Sequence, residues 1–157
     1  MTAHTNKDTG KATTDIVQKC TTLANTIETK REELTKLLLN CESFETTSDE
    51  ITRSLDCLRN VTKEIDSLSY GKIDLFCSFL PINLPLYSLI LFVIIPGFTA
   101  NQVIARPSNT MHDLIKEIWK MLNLQEMFPN IIFVTMERNL FNQAYVSTAD
   151  VVLFTGQ

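Results

Sequence analysis

Apolar positions recur along this chain at two different periods, and the change of period divides it. From residue 14 to about 70, Ile16, Cys20, Leu23, Ile27, Leu34 and Leu37 to Leu39 return close to every 3.6 residues, the spacing of an amphipathic helix. The run "ANTIETKREELTKLLLN", Ala24 to Asn40, carries mixed charge on its outer face. A second helix is expected over "SDEITRSLDCLRNVTKEIDSL", Ser48 to Leu68. Asp49 and Glu50 suit its first turn, where carboxylates meet the positive end of the helix dipole, and "SYG", Ser69 to Gly71, ends it. The spacing is too irregular, over too few heptads, for a coiled coil. Residues 1–13 are polar and rich in Thr, Lys and Gly, which predicts a disordered tail.

From residue 71 the apolar residues come in short runs. "IDLFCSFL" (73–80), "NQVIAR" (101–106), "NIIFVTM" (130–136) and "ADVVLFTG" (149–156) read as strands. "TMHDLIKEIWKMLN" (110–123) reads as a helix with Met111, Leu114, Ile115, Ile118 and Leu122 on one face, and "RNLFNQAYVS" (138–147) as a short helix. Strands alternating with helices predict a parallel sheet with crossover helices. Strands that are apolar runs predict a sheet covered on both faces. The fold class expected is therefore α/β: N-terminal helices (14–70) followed by a partial Rossmann-like parallel sheet, a partial dinucleotide-binding βαβ domain, over 71–157.

The most apolar stretch, Phe79 to Asn109, contains Pro81, Pro85 and Pro96. Leu84 to Ala100 approaches the roughly 20 apolar residues of a membrane span. Pro85 and Pro96 limit a clean helix to about ten residues, since an interior proline removes a hydrogen bond and clashes with the preceding turn. No Lys or Arg cluster flanks the segment. A buried helix from Leu86 to Ile95 is the expectation, with Pro85 in its first turn and a membrane-associated segment as the alternative.

Composition narrows the function classes. A chain of 157 residues can bury a sizeable core, and 45% apolar with 20% charged residues is ordinary for a globular protein. A net charge of −4 does not suggest a nucleic-acid-binding surface. Cys20, Cys41, Cys57 and Cys77 lack CxxC spacing, and only His4 and His112 could join them, so no metal site is expected. Free cysteines and an N-terminus without an apolar signal region suit a reducing cytoplasm.

Several motifs stand in order. "PINLPL" (81–86) precedes an apolar helix; "ANQVIARPSN" (100–109) follows it; a helix, a strand and a short helix lead to "VVLFTGQ" (151–157). The set resembles the aldehyde dehydrogenase superfamily, with its P-W-N-x-P-L segment, its N-x-V-[IV]-x-K-P-S-E strand and its strand ending F-T-G-S. "KREELTKLLLNCESF" and "SDEITRSL" resemble that family's preceding helix pair, so the likeness runs over residues 14–157. It implies a cysteine nucleophile that forms a thiohemiacetal, hydride transfer to NAD or NADP, and hydrolysis aided by a glutamate base. It implies that Asn83 donates its side-chain amide to the oxyanion, a charge that develops only in the transition state. It places Ile82, Arg106, Ser108, Asn109 and Gly156 along the cofactor.

This sequence departs from the family pattern at Ile82, where the family has Trp, at Arg106 for Lys, and at Asn109 for the ribose-binding Glu. The family's nucleophile and base lie beyond the position matching Gln157. Cys77 is no substitute, because nothing near it in sequence lowers its pKa. The expectation is a truncated or split member, inactive alone, that depends on a second polypeptide or a full-length homologue. A non-catalytic assembly subunit on the same half-fold is the alternative. Asn83, Arg106 and Gly156 also have plain structural readings: a helix cap, a solvated strand end and a turn. Ser108 and Asn109 are expected to cap the 110–123 helix.

Overall fold

The computed structural model describes residues 2–64 and 73–154, with side-chain surroundings described over 14–61 and 73–154. Three helices come first: α1 (Thr2–Thr29), α2 (Arg31–Leu38) and α3 (Phe44–Glu64). Helix α1 extends to Thr2, through the polar segment expected to be a tail. No proline precedes Pro81, so nothing in that segment forbids helical backbone. Helix α3 starts four residues before the expected Ser48. Ser43 is its cap: the Ser43 Oγ accepts the Thr46 N–H at 3.1 Å, and the Ser43 carbonyl accepts the Thr47 N–H at 2.9 Å. The expected stop at "SYG" lies outside the described residues.

Strand β1 (Ile73–Leu80) leads into a helical crossover made of α4 (Pro85–Leu89), a π-helical turn (Ile90–Ile94) and α5 (Ile95–Thr99). It is longer than the predicted Leu86–Ile95 because Pro96 does not end it. The Ile95 N–H bonds back five residues to the Ile90 carbonyl, and this wider turn makes room where a regular helix would drive the Pro96 ring into the preceding turn. Then come β2 (Ala100–Pro107), α6 (His112–Met121), α7 (Leu124–Met127), β3 (Ile131–Phe133), α8 (Arg138–Ala144), a 3-10 turn (Val146–Thr148) and β4 (Val151–Phe154).

The four strands form one parallel sheet in the order β3-β2-β1-β4. The α/β class, the leading helices and the crossover helices agree with expectation. Strand alternation sorts the side chains onto two faces. Phe76, Leu80, Val103 and Ala105 face the larger core, which holds Leu86, Leu89, Ile90, Val93 and Ile94 of the crossover together with Leu23, Ile27, Ile51 and Leu58 of α1 and α3. Cys77, Phe79 and Ile104 face the other way, against Phe141 of α8.

That second face is only partly covered. Ile132, Val152 and Phe154 remain 42–45% exposed, so the expectation of two covered faces holds fully for one face alone. Asn130 joins the crossover to the sheet: its Nδ2 donates to the carbonyls of Gly97 at 2.9 Å and Ala100 at 3.0 Å. Gly97 is needed there. A Cβ on it would lie 2.8 Å from the Ile131 Cδ1 and 3.3 Å from its Cγ1. Gly97→Val should cost about 1–3 kcal/mol through overpacking, read as a lower urea midpoint with unchanged slope.

Candidate functional site

The chain leaves β1 toward β2 on one side and returns to β4 on the other, so the strand order reverses between β1 and β4. In open parallel sheets such a reversal leaves a crevice outside the carboxyl ends of the strands, where ligands bind. The segments that reach this end are Pro81–Leu84 after β1, Arg106–Asn109 after β2, and the end of β4. Gly156 lies outside the described residues.

The loop after β1 is held in a tight form. Leu84 adopts a left-handed backbone, φ 50° and ψ 64°, a costly conformation for a side-chain-bearing residue that its surroundings must impose. The Ser88 Oγ donates to the Asn83 carbonyl at 2.9 Å, and the Ser88 N–H donates to the Leu84 carbonyl at 2.8 Å. Asn83 does not cap α4: the cap position is Leu84, without a side-chain bond. The Asn83 amide is exposed and makes no hydrogen bond within the described residues. It is free to donate to a ligand. Ile82 is 61% exposed, so it is available as a contact surface and adds nothing to the core.

The first turn of α4 is satisfied from a distance. The Tyr87 N–H donates to the Glu50 Oε1 at 2.9 Å, and the Leu86 N–H also faces this carboxyl. Glu50 was expected in the first turn of its helix. Because α3 starts at Phe44, it sits further along the helix and is fully buried with Thr47, Ile51 and Ser54. Its Oε2 has no donor among the described residues, and its neighbour is the Glu42 carboxyl, which accepts the Thr47 hydroxyl at 3.2 Å. The two oxygens are compatible when Glu50 holds a proton and donates it to Glu42. Burial first, and Glu42 second, raise the Glu50 carboxyl to about 9, against the opposing pull of the Tyr87 and Leu86 amides.

Arg106 is half-buried, and its Nε donates to the Met136 carbonyl at 2.9 Å; it is tied down, unlike a freely solvated strand end. Its neighbour in register on β1 is Phe79. Arg138 also stacks here, 5.7 Å from the Phe79 ring centre and 4.9 Å from that of Phe154. The rings of Phe79 and Phe154 meet edge-on at 5.4 Å. Within the described residues, neither Arg106 nor Arg138 is paired with a carboxylate. The carboxyl end of the sheet thus presents two arginines, Arg138 over the rings of Phe79 and Phe154 and Arg106 in register beside Phe79, although the whole chain is acidic.

Ser108 and Asn109 do not cap α6 as expected. The helix begins later, with Met111 at its cap and no side-chain bond. Residues 108–110 form a turn instead: the Met111 N–H donates to the Ser108 carbonyl at 3.0 Å, and the Ser108 and Thr110 hydroxyls meet at 3.3 Å. Asn109 is exposed. The structure therefore brings Ile82, Asn83, Arg106, Ser108 and Asn109 to one end of the sheet. It adds Arg138, which had no family motif to mark it, and Glu50, which lies far away in sequence.

Cys77 is buried on the face toward α8, and burial raises its thiol pKa. Cys20 is raised to about 11, by burial and then by Cys57. Neither has the thiolate character of a nucleophile. Among the described residues, no three His, Cys, Asp or Glu side chains gather as metal ligands, and no helix is long and apolar enough to cross a membrane. No protein-family model matches the chain, and no curated protein matches it.

Proposed function

We propose that this chain is a partial dinucleotide-binding unit of aldehyde dehydrogenase lineage. It holds NAD or NADP at the carboxyl end of its sheet and relies on a second polypeptide for oxidation. The observation that carries the reading is the strand reversal between β1 and β4, with the free Asn83 amide and the two unpaired arginines at its mouth. Arg106 and Arg138 suit the phosphates of the cofactor. Asn83 suits an oxyanion, as a preorganised donor whose loop is fixed by Ser88 and Glu50. On this reading the second polypeptide supplies the nucleophile, and the thiols of Cys20, Cys41 and Cys77, all raised by burial, do not take that role.

Calorimetric titration of the chain with NAD and with NADP tests this. Saturable binding is expected, weakened by Arg106→Ala about tenfold or more, the loss of a hydrogen bond to a charged group. Absence of binding to either cofactor at millimolar concentration overturns the reading. In a complex with a polypeptide that supplies the nucleophile, Asn83→Ala should lower turnover by about 10²–10³. Unchanged turnover removes Asn83 from the oxyanion role.

A second reading rests on Ile132, Val152 and Phe154. These exposed apolar residues, Val152 and Phe154 on the edge strand β4 and Ile132 on the opposite edge strand β3, suit assembly with a larger homologue.

A further inference from the structure

We propose that the groove between α6 and the outer edge of β3 takes an extended acidic peptide from another polypeptide, as an added strand. This surface is separate from the strand reversal at β1 and β4. The groove holds about 380 Å³ and is bounded on one side by Ile131, Ile132 and Phe133, the whole of β3. Its other wall is a stripe of α6 at helical spacing: His112, Ile115, Lys116 and Trp119. The Trp119 indole packs edge-on against the Phe133 ring at 4.8 Å.

Strand β3 ends the sheet. The Val103 N–H donates to the Asn130 carbonyl, and the Val134 N–H to the Ala105 carbonyl. The groups that bond β2 therefore belong to alternate residues, and the Phe133 N–H and the Ile131 and Phe133 carbonyls point outward. An extended chain lying there can pair with those groups while its alternate side chains enter the groove.

The charge of the lining selects the occupant. Among the described residues no carboxylate lines the groove, although the chain as a whole is acidic. His112 and Lys116 both line it; His112 lies 3.6 Å from the exposed Asp113, and Lys116 has no carboxylate partner among the described residues. A strand whose groove-facing residues, every second one, combine a glutamate or aspartate with apolar side chains supplies that partner and meets Ile115, Trp119 and Phe133.

Trp119 is the chain's single tryptophan, so its emission reports occupancy directly. The test is a fluorescence titration with a blocked heptapeptide of threonine carrying valine, glutamate and valine at positions 2, 4 and 6, which share one face of an extended strand. Two controls accompany it: the same peptide with lysine for glutamate, and the glutamate peptide N-methylated along one edge. Saturable change with the glutamate peptide is expected. Affinity should fall about tenfold with Lys116→Glu, the size of a lost charged contact, and should disappear for the lysine and N-methylated peptides. Equal binding of the N-methylated peptide overturns strand addition, and equal binding of the lysine peptide overturns the charge selection. A Trp119 change that follows protein concentration without peptide, alongside dimerisation in sedimentation, assigns the groove to a second copy and overturns the proposal. No change at millimolar peptide does the same. Circular dichroism of the Lys116→Glu chain separates lost binding from lost folding.

Discussion

Glu50→Gln should make the protein more stable at pH 8 and remove most of its loss of stability between pH 5 and 9. The carboxyl titrates near 4.5 in the unfolded chain and at about 9 when folded. Between those values the folded state holds a proton that the unfolded state has released. Stability therefore falls as pH rises, with a slope of at most about 1.4 kcal/mol per pH unit for one proton. The stabilising contribution is fully present below pH 4.5 and is lost through the folded value. Above it, an ionised Glu50 faces Glu42 inside the protein, and only the Tyr87 and Leu86 amides offset that charge.

Glutamine keeps the oxygen that accepts the Tyr87 N–H and offers a permanent donor to Glu42. At pH 8 the gain should be on the order of a few kcal/mol, the linkage cost of holding a proton that the unfolded chain has released. Glu50→Ala should destabilise at every pH, since it leaves two buried amides of α4 without an acceptor. Urea unfolding at pH 5.5, 7 and 8.5 checks all three statements. A Glu50→Gln protein with the native pH slope would show that Glu50 does not carry the proton.

The second large effect is expected in the crossover helix. Leu86, Leu89, Ile90, Val93 and Ile94 are fully buried, each with no exposed surface. They lie between the sheet and the N-terminal helices, where a membrane span would have presented apolar residues all round. Leu89→Ala should cost about 2–5 kcal/mol, combining lost transfer energy with the cavity left behind. For a chain of this size each kcal/mol lowers Tm by about 2–4 °C. The pruned Tyr87→Phe chain, which keeps its backbone bond to Glu50, should unfold close to the native temperature. Calorimetry of both variants tests whether this segment is the centre of the core. A small shift for Leu89→Ala would mean that the crossover packs loosely.

Much of this architecture was legible because strand and helix write different periods into the sequence. Phe76 and Leu80 face one way, Cys77 and Phe79 the other, and the run 73–80 could be placed from its apolar content alone. The boundaries were harder where one residue overrode the pattern. Pro96 looks like a helix stop, but the π turn before it absorbs the missing N–H. Ser108 and Asn109 look like caps, but the turn they form delays α6 to His112.

Glu50 was misread for a related reason. A start at Ser48 makes it a first-turn residue, whereas the helix that starts after Ser43 carries it further along, on one buried stripe with Thr47, Ile51, Ser54 and Leu58. The signal was the 3–4 spacing of that stripe, obscured by a carboxylate in it. Its partner, the Tyr87 amide, is a tertiary contact between residues 37 apart, which no local pattern encodes. Arg138 was hidden likewise, because its role depends on Phe79 and Phe154 being brought together by the sheet.

The nucleotide site we propose lies at the carboxyl end of the sheet, at the reversal between β1 and β4 and beside the turn after β2. Amide hydrogen exchange on the chain, alone and with NAD or NADP, tests it most directly. The account predicts cofactor-dependent protection confined to Ile82–Leu84 and Val103–Asn109, with the amides of α3 unchanged. Exchange in those segments that neither cofactor alters at saturating concentration would contradict it.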